Sequence, residues 1–201
     1  MQHSIATLAS AAPRLAAGFS SSDLDLSAVR GRSLGTPRSA AVLVPLRDTA
    51  QGTQVILTRR ARGLRHHPGQ IAFPGGKLDA GDPSLEACAL REAAEEIGLA
   101  PTDVRPLGRL SPHRTVTGFE ITPILGAVSR RFVPHPEAGE VDEVFEVPLA
   151  HLIDPAHHQI HTRVFRGEER RYYVIPYGPH YIWGATARII IRLASGLHGT
   201  A

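Results

Sequence analysis

The stretch "DPSLEACALREAAEEIG", residues 82–98, constrains the fold most, because it carries its own start, period and stop. Asp82 suits the cap of a helix and Pro83 its first position, while Gly98 suits the left-handed residue that ends one. The spacing predicts a helix over residues 83–97. With helical periodicity, Leu90, Ala93 and Ile97 form an apolar stripe. Glu92, Glu95 and Glu96 fall within about 100° of one another beside that stripe, and Arg91 falls next to Glu95. Like charges on one face repel, by roughly 0.2–0.5 kcal/mol per pair in an isolated helix. Something must offset that repulsion.

Around this helix the chain alternates strand-like and helix-like segments. Residues 40–46 and 53–60 flank the turn-like "RDTAQG" and read as a hairpin. Strands are expected near 104–110, 119–128 and 143–147, with a second hairpin in which "HQIHTRVF" and "RYYVIPY" bracket "RGEER". An apolar helix over 182–196, ending at Gly196, closes the chain. Strands mixed with two main helices imply an α/β (α+β) sandwich with one helix on each side of the sheet. A chain of 201 residues fits one domain, here 36–201, preceded by a weakly patterned arm over 1–35 that holds a short helix.

The totals exclude more than they assign. A single cysteine, Cys88, rules out an internal disulfide framework and fits a reducing compartment. No run approaches the roughly 20 apolar residues that span a bilayer. The N-terminus lacks a charged region followed by an apolar one, and Asp23 and Asp25 argue against a transit peptide. A cytoplasmic location with no membrane partner is expected. The net charge is +3, with acids gathered at 92–96 and 137–146 and arginines at 59–65 and 163–171. A mildly basic protein with one acidic spot can meet a polyanion through metal ions.

The acidic stripe can be a solvated face, the usual fate of a charge run. Against that, no lysine interleaves it at four-residue spacing, and Gly75-Gly76 precedes it, where backbone can approach a ligand closely. Clustered carboxylates suit hard divalent cations, Mg²⁺ above all. A di-iron carboxylate site would need a histidine three residues after a glutamate on two helices. None follows these glutamates.

"GGKLDAGDPSLEACALREAAEEIGL" resembles the Nudix box, the loop–helix–loop signature of enzymes that hydrolyse nucleoside diphosphates linked to another group. Gly76, Arg91, Glu92, Glu95, Glu96 and Gly98 match it. Asp82 stands where the usual pattern has Glu, and one extra residue separates it from Arg91. Upstream, "LTRRARGLRHHPGQIAFPGGKLD" resembles the extended signature of the coenzyme A pyrophosphatase branch, which tolerates that extra residue. Ala61 replaces a common Ser there. "TVTGFEITP", "EVDEVFEVPL" and "IWGATAR" look like the same branch, so the similarity spans roughly 38–195.

The resemblance implies a Nudix-type α/β/α sandwich with a mixed central sheet. It also implies metal-assisted attack of water on a diphosphate, with Mg²⁺ or Mn²⁺ as cofactor. Coenzyme A or an acyl derivative would yield 3′,5′-ADP and (acyl-)4′-phosphopantetheine. Glu92, Glu95 and Glu96 become the metal carboxylates, Gly76 adds a backbone carbonyl, and Arg91 orients a glutamate. Glu140 is the further carboxylate, as ligand or general base, with Glu143 as its alternative. Arg60, Arg65, His67, Gln70 and Gly75 become the substrate-binding set, arginine suiting phosphate because its donors pair bidentately.

The partner is thus a small molecule rather than nucleic acid, and a homodimer is compatible. Other Nudix substrates, such as NADH, ADP-ribose, a dinucleoside polyphosphate or a damaged nucleoside triphosphate, form the alternative. A nucleotide-sensing or nucleic-acid-binding module without catalysis is the reading from another class, and the intact acidic triplet argues against it. The histidines of "HHQIH" (157–161) read as loop residues, Cys88 as a packing residue, and Trp183 with Arg188 as core of the last helix.

Overall fold

Alternation along the strands sends neighbouring side chains to different layers, and this sets the site. The computed structural model describes residues 4–17, 21–22, 36–165 and 167–198. In chain order these form α1 (Ile5–Ala16), β1 (Ser21–Ser22), β2 (Arg38–Thr49), β3 (Gly52–Arg60), β4 (Ile71–Ala72), β5 (Gly75–Lys77) and α2 (Leu85–Ile97). Then come β6 (Val104–Arg109), β7 (His113–Arg114), β8 (Phe119–Val128), β9 (Val141–Pro148) and α3 (Leu149–Ile153). The chain continues through β10 (Gln159–Phe165), β11 (Glu168–Tyr177), β12 (His180–Trp183) and α4 (Gly184–His198).

Strands β1 to β9 build one mixed sheet in the order β1-β7-β8-β2-β3-β4, with β5 on β2, β6 on β8 and β9 on β3. The expected first hairpin forms, Leu46 lying opposite Val55, and β2 runs parallel to β8. β10, β11 and β12 form a separate antiparallel sheet that contains the second expected hairpin. On one side of the large sheet, Ala41, Leu43 and Ile56 pack against Cys88, Ala89, Ala93 and Ile97 of α2. On the other, Val44, Leu46, Val55 and Leu57 meet α1, α3, α4 and the inner face of the small sheet. A mixed sheet with helices on both faces is the α/β (α+β) sandwich that the alternation of segments implied. Among the described residues no helix is long and apolar enough to cross a membrane.

Two boundaries differ from expectation. The closing helix begins at Gly184, because Ile182 and Trp183 alternate between the faces of β12. Trp183 is therefore a strand residue, set edge-on to Tyr172 at 5.4 Å, while Arg188 of α4 lies over the Tyr173 ring at 5.0 Å. The same helix runs past Gly196 to His198. Gly196 is there for close packing, since a Cβ at that position would overlap the Leu15 side chain of α1.

The short helix expected in the arm is α1, and it is docked on the core. Ile5, Leu8, Ala11, Ala12 and Leu15 are buried, Ser4 caps its start, and Arg14 Nη2 donates to the Gly196 carbonyl at 3.1 Å. Residues 1–3, 18–20 and 23–35 of the arm lie outside the described residues.

Candidate active site

α2 starts two residues later than the Asp-Pro pair suggests. Ser84 is the cap, its Oγ accepting the Ala87 amide at 3.0 Å, an interaction typically worth about 1 kcal/mol. The far end is as expected: Gly98 takes φ 70°, and its amide reaches the Ala94 carbonyl at 3.1 Å.

Relieved of capping, Asp82 closes the loop before the helix. It accepts the Asp79 amide at 2.9 Å and two bonds from Arg91, Nε to Oδ1 at 2.9 Å and Nη2 to Oδ2 at 3.0 Å. The Arg91 bonds, aided by the Asp79 amide, hold the Asp82 carboxyl well below the usual carboxylate range. The same guanidinium pairs with Glu92 at 3.0 Å and Glu95 at 2.8 Å. One arginine thus binds Asp82, Glu92 and Glu95, with Asp79 a fourth carboxylate at 3.8 Å.

The acidic stripe is not uniform. Glu95 is more than half exposed, Glu92 is largely covered, and the Glu96 side chain is only 6% exposed. Glu96 Oε2 accepts the Gly75 amide at 3.2 Å, and its Oε1 lies 3.6 Å from Arg60 Nη1. Burial pushes the Glu96 carboxyl up to about 7, against the pull of Gly75 and Arg60, with Glu92 and Glu140 adding to the rise. Burial also raises Glu92, Arg91 opposing it. For both carboxylates, burial thus outweighs the neighbouring arginine.

β5 presses backbone against this pair. A Cβ on Gly75 would stand 2.5 Å from Val42 Cα, and one on Gly76 would stand 2.6 Å from Glu92 Oε2. Among the described residues no three His, Cys, Asp or Glu side chains already form a metal-holding group. Two desolvated carboxylates, with a carbonyl-bearing strand beside them, instead suit a hard cation whose shell water and phosphate oxygens complete. On that donor chemistry the residues fit Mg²⁺ or Mn²⁺.

Arg60, at the end of β3, points to α2, and its backbone closes the next loop by accepting the Gly69 amide and donating to the Gln70 carbonyl, both at 3.0 Å. Within that loop Arg65 and His67 are exposed, and His67 adopts φ 55° while its carbonyl accepts the Gln70 amide at 3.2 Å. Glu140 lies at the same mouth: its carbonyl accepts the Ala61 amide at 2.9 Å, and its charge is felt by Glu96. Glu143 is turned to the opposite face of the sheet. There it pairs with Arg59 at 2.8 Å, beside His180.

The sequence matches the NUDIX domain over residues 36–167. The chain belongs to the Nudix family. Two relatives called "Uncharacterized Nudix hydrolase NudL" are similar: that of Citrobacter koseri is 40% identical over 83% of this chain and 85% of its own. That of Cronobacter sakazakii is 43% identical over 81% of this chain and 84% of its own. A solved MutT/nudix family protein from Enterococcus faecalis has a TM-score of 0.48 and 18% identity over 82% of this chain and 63% of that one. At the level of the family, the protein is a Nudix hydrolase acting on a nucleoside diphosphate derivative.

Gly76, Arg91, Glu92 and Glu96 of the Nudix box lie at the α2–β5 junction, Glu95 pairs with Arg91 on the exposed side, and Gly98 caps the far end of α2 beside His135. The extra residue of the box lies in the loop before Ser84, so the helix keeps its register. Contacts bear on two side readings. Cys88 is buried against the Lys77 carbonyl at 3.4 Å, and burial pushes its thiol up to about 11, an unreactive state. His157 and His158 bond the carbonyls of His151 and Leu152 at the end of α3. His161 is not a loop residue but lies in β10 opposite Tyr172, and it bonds the Tyr181 hydroxyl at 2.7 Å.

Sequence reasoning missed Asp82 as the anchor of Arg91, and the whole Arg59–Glu143–His180 group. Asp82 is nine residues from Arg91 and outside the helix, so no periodicity links them. Arg59 and Glu143 are directly opposite in the β3–β9 ladder, a pairing that only the register reveals.

Proposed function

We propose that this Nudix hydrolase cleaves the diphosphate of coenzyme A or acyl-coenzyme A, with Mg²⁺ or Mn²⁺, to 3′,5′-ADP and (acyl-)4′-phosphopantetheine. One observation carries the reading. The basic loop of the coenzyme A-type signature opens directly onto the acidic helix, through the approach of Arg60 to Glu96.

Glu92, Glu96 and the Gly76 carbonyl would hold the cation, with Glu95 adding a carboxylate from the exposed side. The cation supplies charge neutralisation at the diphosphate and a bound water of lowered pKa. Glu140, at the mouth, is either a further ligand or the base that takes the proton of the attacking water. Glu143 is less suited to that work, since it faces the other layer and is paired with Arg59. Arg91 positions Glu92 and Glu95 from its anchor on Asp82 rather than touching substrate.

Arg65 and His67 are exposed on the loop, where they can meet phosphate groups, while Gln70 is bonded through its backbone to Arg60 and Gly75 gives its amide to Glu96. Arg60 would divide its charge between Glu96 and the diphosphate. A single, buried thiol and a small-molecule substrate favour a cytoplasmic location.

The test is a substrate panel with Mg²⁺ or Mn²⁺, products being identified by mass spectrometry. Release of 3′,5′-ADP from coenzyme A is expected. Intact coenzyme A beside cleaved NADH, ADP-ribose or dinucleoside polyphosphate would replace this substrate with another.

A further inference from the structure

The connector from β8 to β9, residues 129–140, runs from the acidic helix to the arginine loop. Near its start the Arg47 guanidinium donates to the Phe132 carbonyl at 2.8 Å. It then completes the end of α2, where helix carbonyls have no partners within the helix. The His135 amide donates to the Ile97 carbonyl and the Glu137 amide to the Glu96 carbonyl, both at 2.9 Å. A tight turn follows, the Glu140 and Val141 amides both donating to the Glu137 carbonyl at 3.1 Å. Glu140 is thereby tethered, through Glu137, to the backbone of Glu96.

β9 then begins with a bulge. Arg59 lies opposite Glu143 and Arg60 opposite Val141, so Asp142 has no partner in the ladder. The extra residue changes which way the strand faces. Val141 and Val144, three apart, both pack on the α2 side, where an unbroken strand would send them to opposite faces. Asp142 instead turns to the arginine loop, its Oδ2 accepting the Arg62 amide at 3.2 Å. The neighbouring Ala61 amide is held by the Glu140 carbonyl at 2.9 Å. Two consecutive amides at the root of the loop that carries Arg65 and His67 are thus fixed by residues 140 and 142.

We infer that Asp142 is a positioning residue, whose carboxylate sets the arginine loop against the connector that presents Glu140. The inference rests on reading this loop as the binder of substrate phosphates, but not on coenzyme A as the substrate. A carboxylate repels phosphate, so Asp142 acts through the loop rather than on the substrate. The bulge is what makes this possible, since a side chain kept in the ladder would point into the α2 layer.

Asparagine at this position keeps an acceptor oxygen, whereas alanine removes it. One hydrogen bond of this kind corresponds to about a fivefold change in an equilibrium. Asp142→Ala should therefore raise KM by about fivefold, with kcat and the Mn²⁺ concentration for half-maximal rate unchanged. Asp142→Asn should restore the wild-type KM. Rates are read on coenzyme A, or on ADP-ribose or NADH where wild type cleaves only those. Amide hydrogen exchange gives a readout independent of activity: Asp142→Ala should exchange faster over residues 61–70 and no faster over α2.

Unchanged exchange over 61–70 in Asp142→Ala would overturn the inference, whatever the substrate. So would a rise in KM that Asp142→Asn fails to rescue, or faster exchange spread equally over α2, the mark of general destabilisation. Wild type that leaves coenzyme A intact but cleaves ADP-ribose, with KM for ADP-ribose raised in Asp142→Ala, would sink only the choice of substrate and support the role of Asp142.

Discussion

Arg91 grips Asp82 with both sides of its guanidinium, Nε to Oδ1 at 2.9 Å and Nη2 to Oδ2 at 3.0 Å. The pair ties the loop ahead of α2 to the helix, and it leaves Nη1 of Arg91 for Glu92 and Glu95. Because folding lowers the Asp82 pKa, the folded state binds fewer protons than the unfolded one near and below pH 4. Its contribution is present above the ordinary carboxylate value and is lost as pH falls toward the folded value. Urea midpoints from pH 6 to pH 3 should show wild type and Asp82→Asn converging in acid. An equal gap at both ends would contradict the linkage.

Glu96 gives the opposite sign. Its folded value is raised from the ordinary 4.5 to about 7, so ionising it costs stability as pH rises through that window. For a side chain this buried, the full cost above pH 7 is about 3 kcal/mol. Glu96→Gln should raise the unfolding temperature of metal-free protein at pH 8, while hydrolysis falls by at least a hundredfold. Adding Mn²⁺ should stabilise wild type more than the variant, by mass action on the folded state. If the metal raises both melting temperatures equally, Glu96 is not its ligand.

Much of this site is legible in the sequence because helical spacing alone gathers Arg91, Glu92, Glu95 and Glu96. Arg91 next to Glu95, and the glycine stop at Gly98, follow from local geometry and appear as expected. The burial of Glu96 does not follow, because it depends on where β5 crosses the helix and where Gly75 aims its amide. The start of α2 misleads for a related reason: Asp82 has the chemistry of a cap, but a guanidinium nine residues away competes for it.

The same limit applies at the far end of the chain. An apolar run places Trp183 and Gly196 in one helix, whereas a ladder with β11 and a crossing with α1 decide their roles.

The docked α1 supplies a third expectation. Leu8 is fully buried in the core cluster that also contains α4 residues, although its surrounding sequence is weakly patterned. Leu8→Ala should destabilise the protein by about 3 kcal/mol, measured from denaturant midpoints. A change below about 0.5 kcal/mol, the range of ordinary surface substitutions, would mean that α1 is not packed in solution.

Gly75 and Gly76 adjoin each other, yet alanine should affect them differently. At Gly75, φ is 155° and a Cβ would meet the backbone of Val42 at 2.5 Å, where neither partner can move without disturbing the β2–β5 pairing. Gly75→Ala should therefore unfold more easily by about 2 kcal/mol or more. At Gly76 the obstacle is the Glu92 carboxylate, the far end of a flexible side chain. Gly76→Ala should keep its fold, since Glu92 can rotate away, but that rotation moves a carboxylate out of the set that would hold the cation. Its melting temperature should stay within a few degrees of wild type while kcat drops at least tenfold and the Mn²⁺ concentration for half-maximal rate rises. Full activity in a folded Gly76→Ala protein would show that the position of Glu92 against β5 has no part in the chemistry.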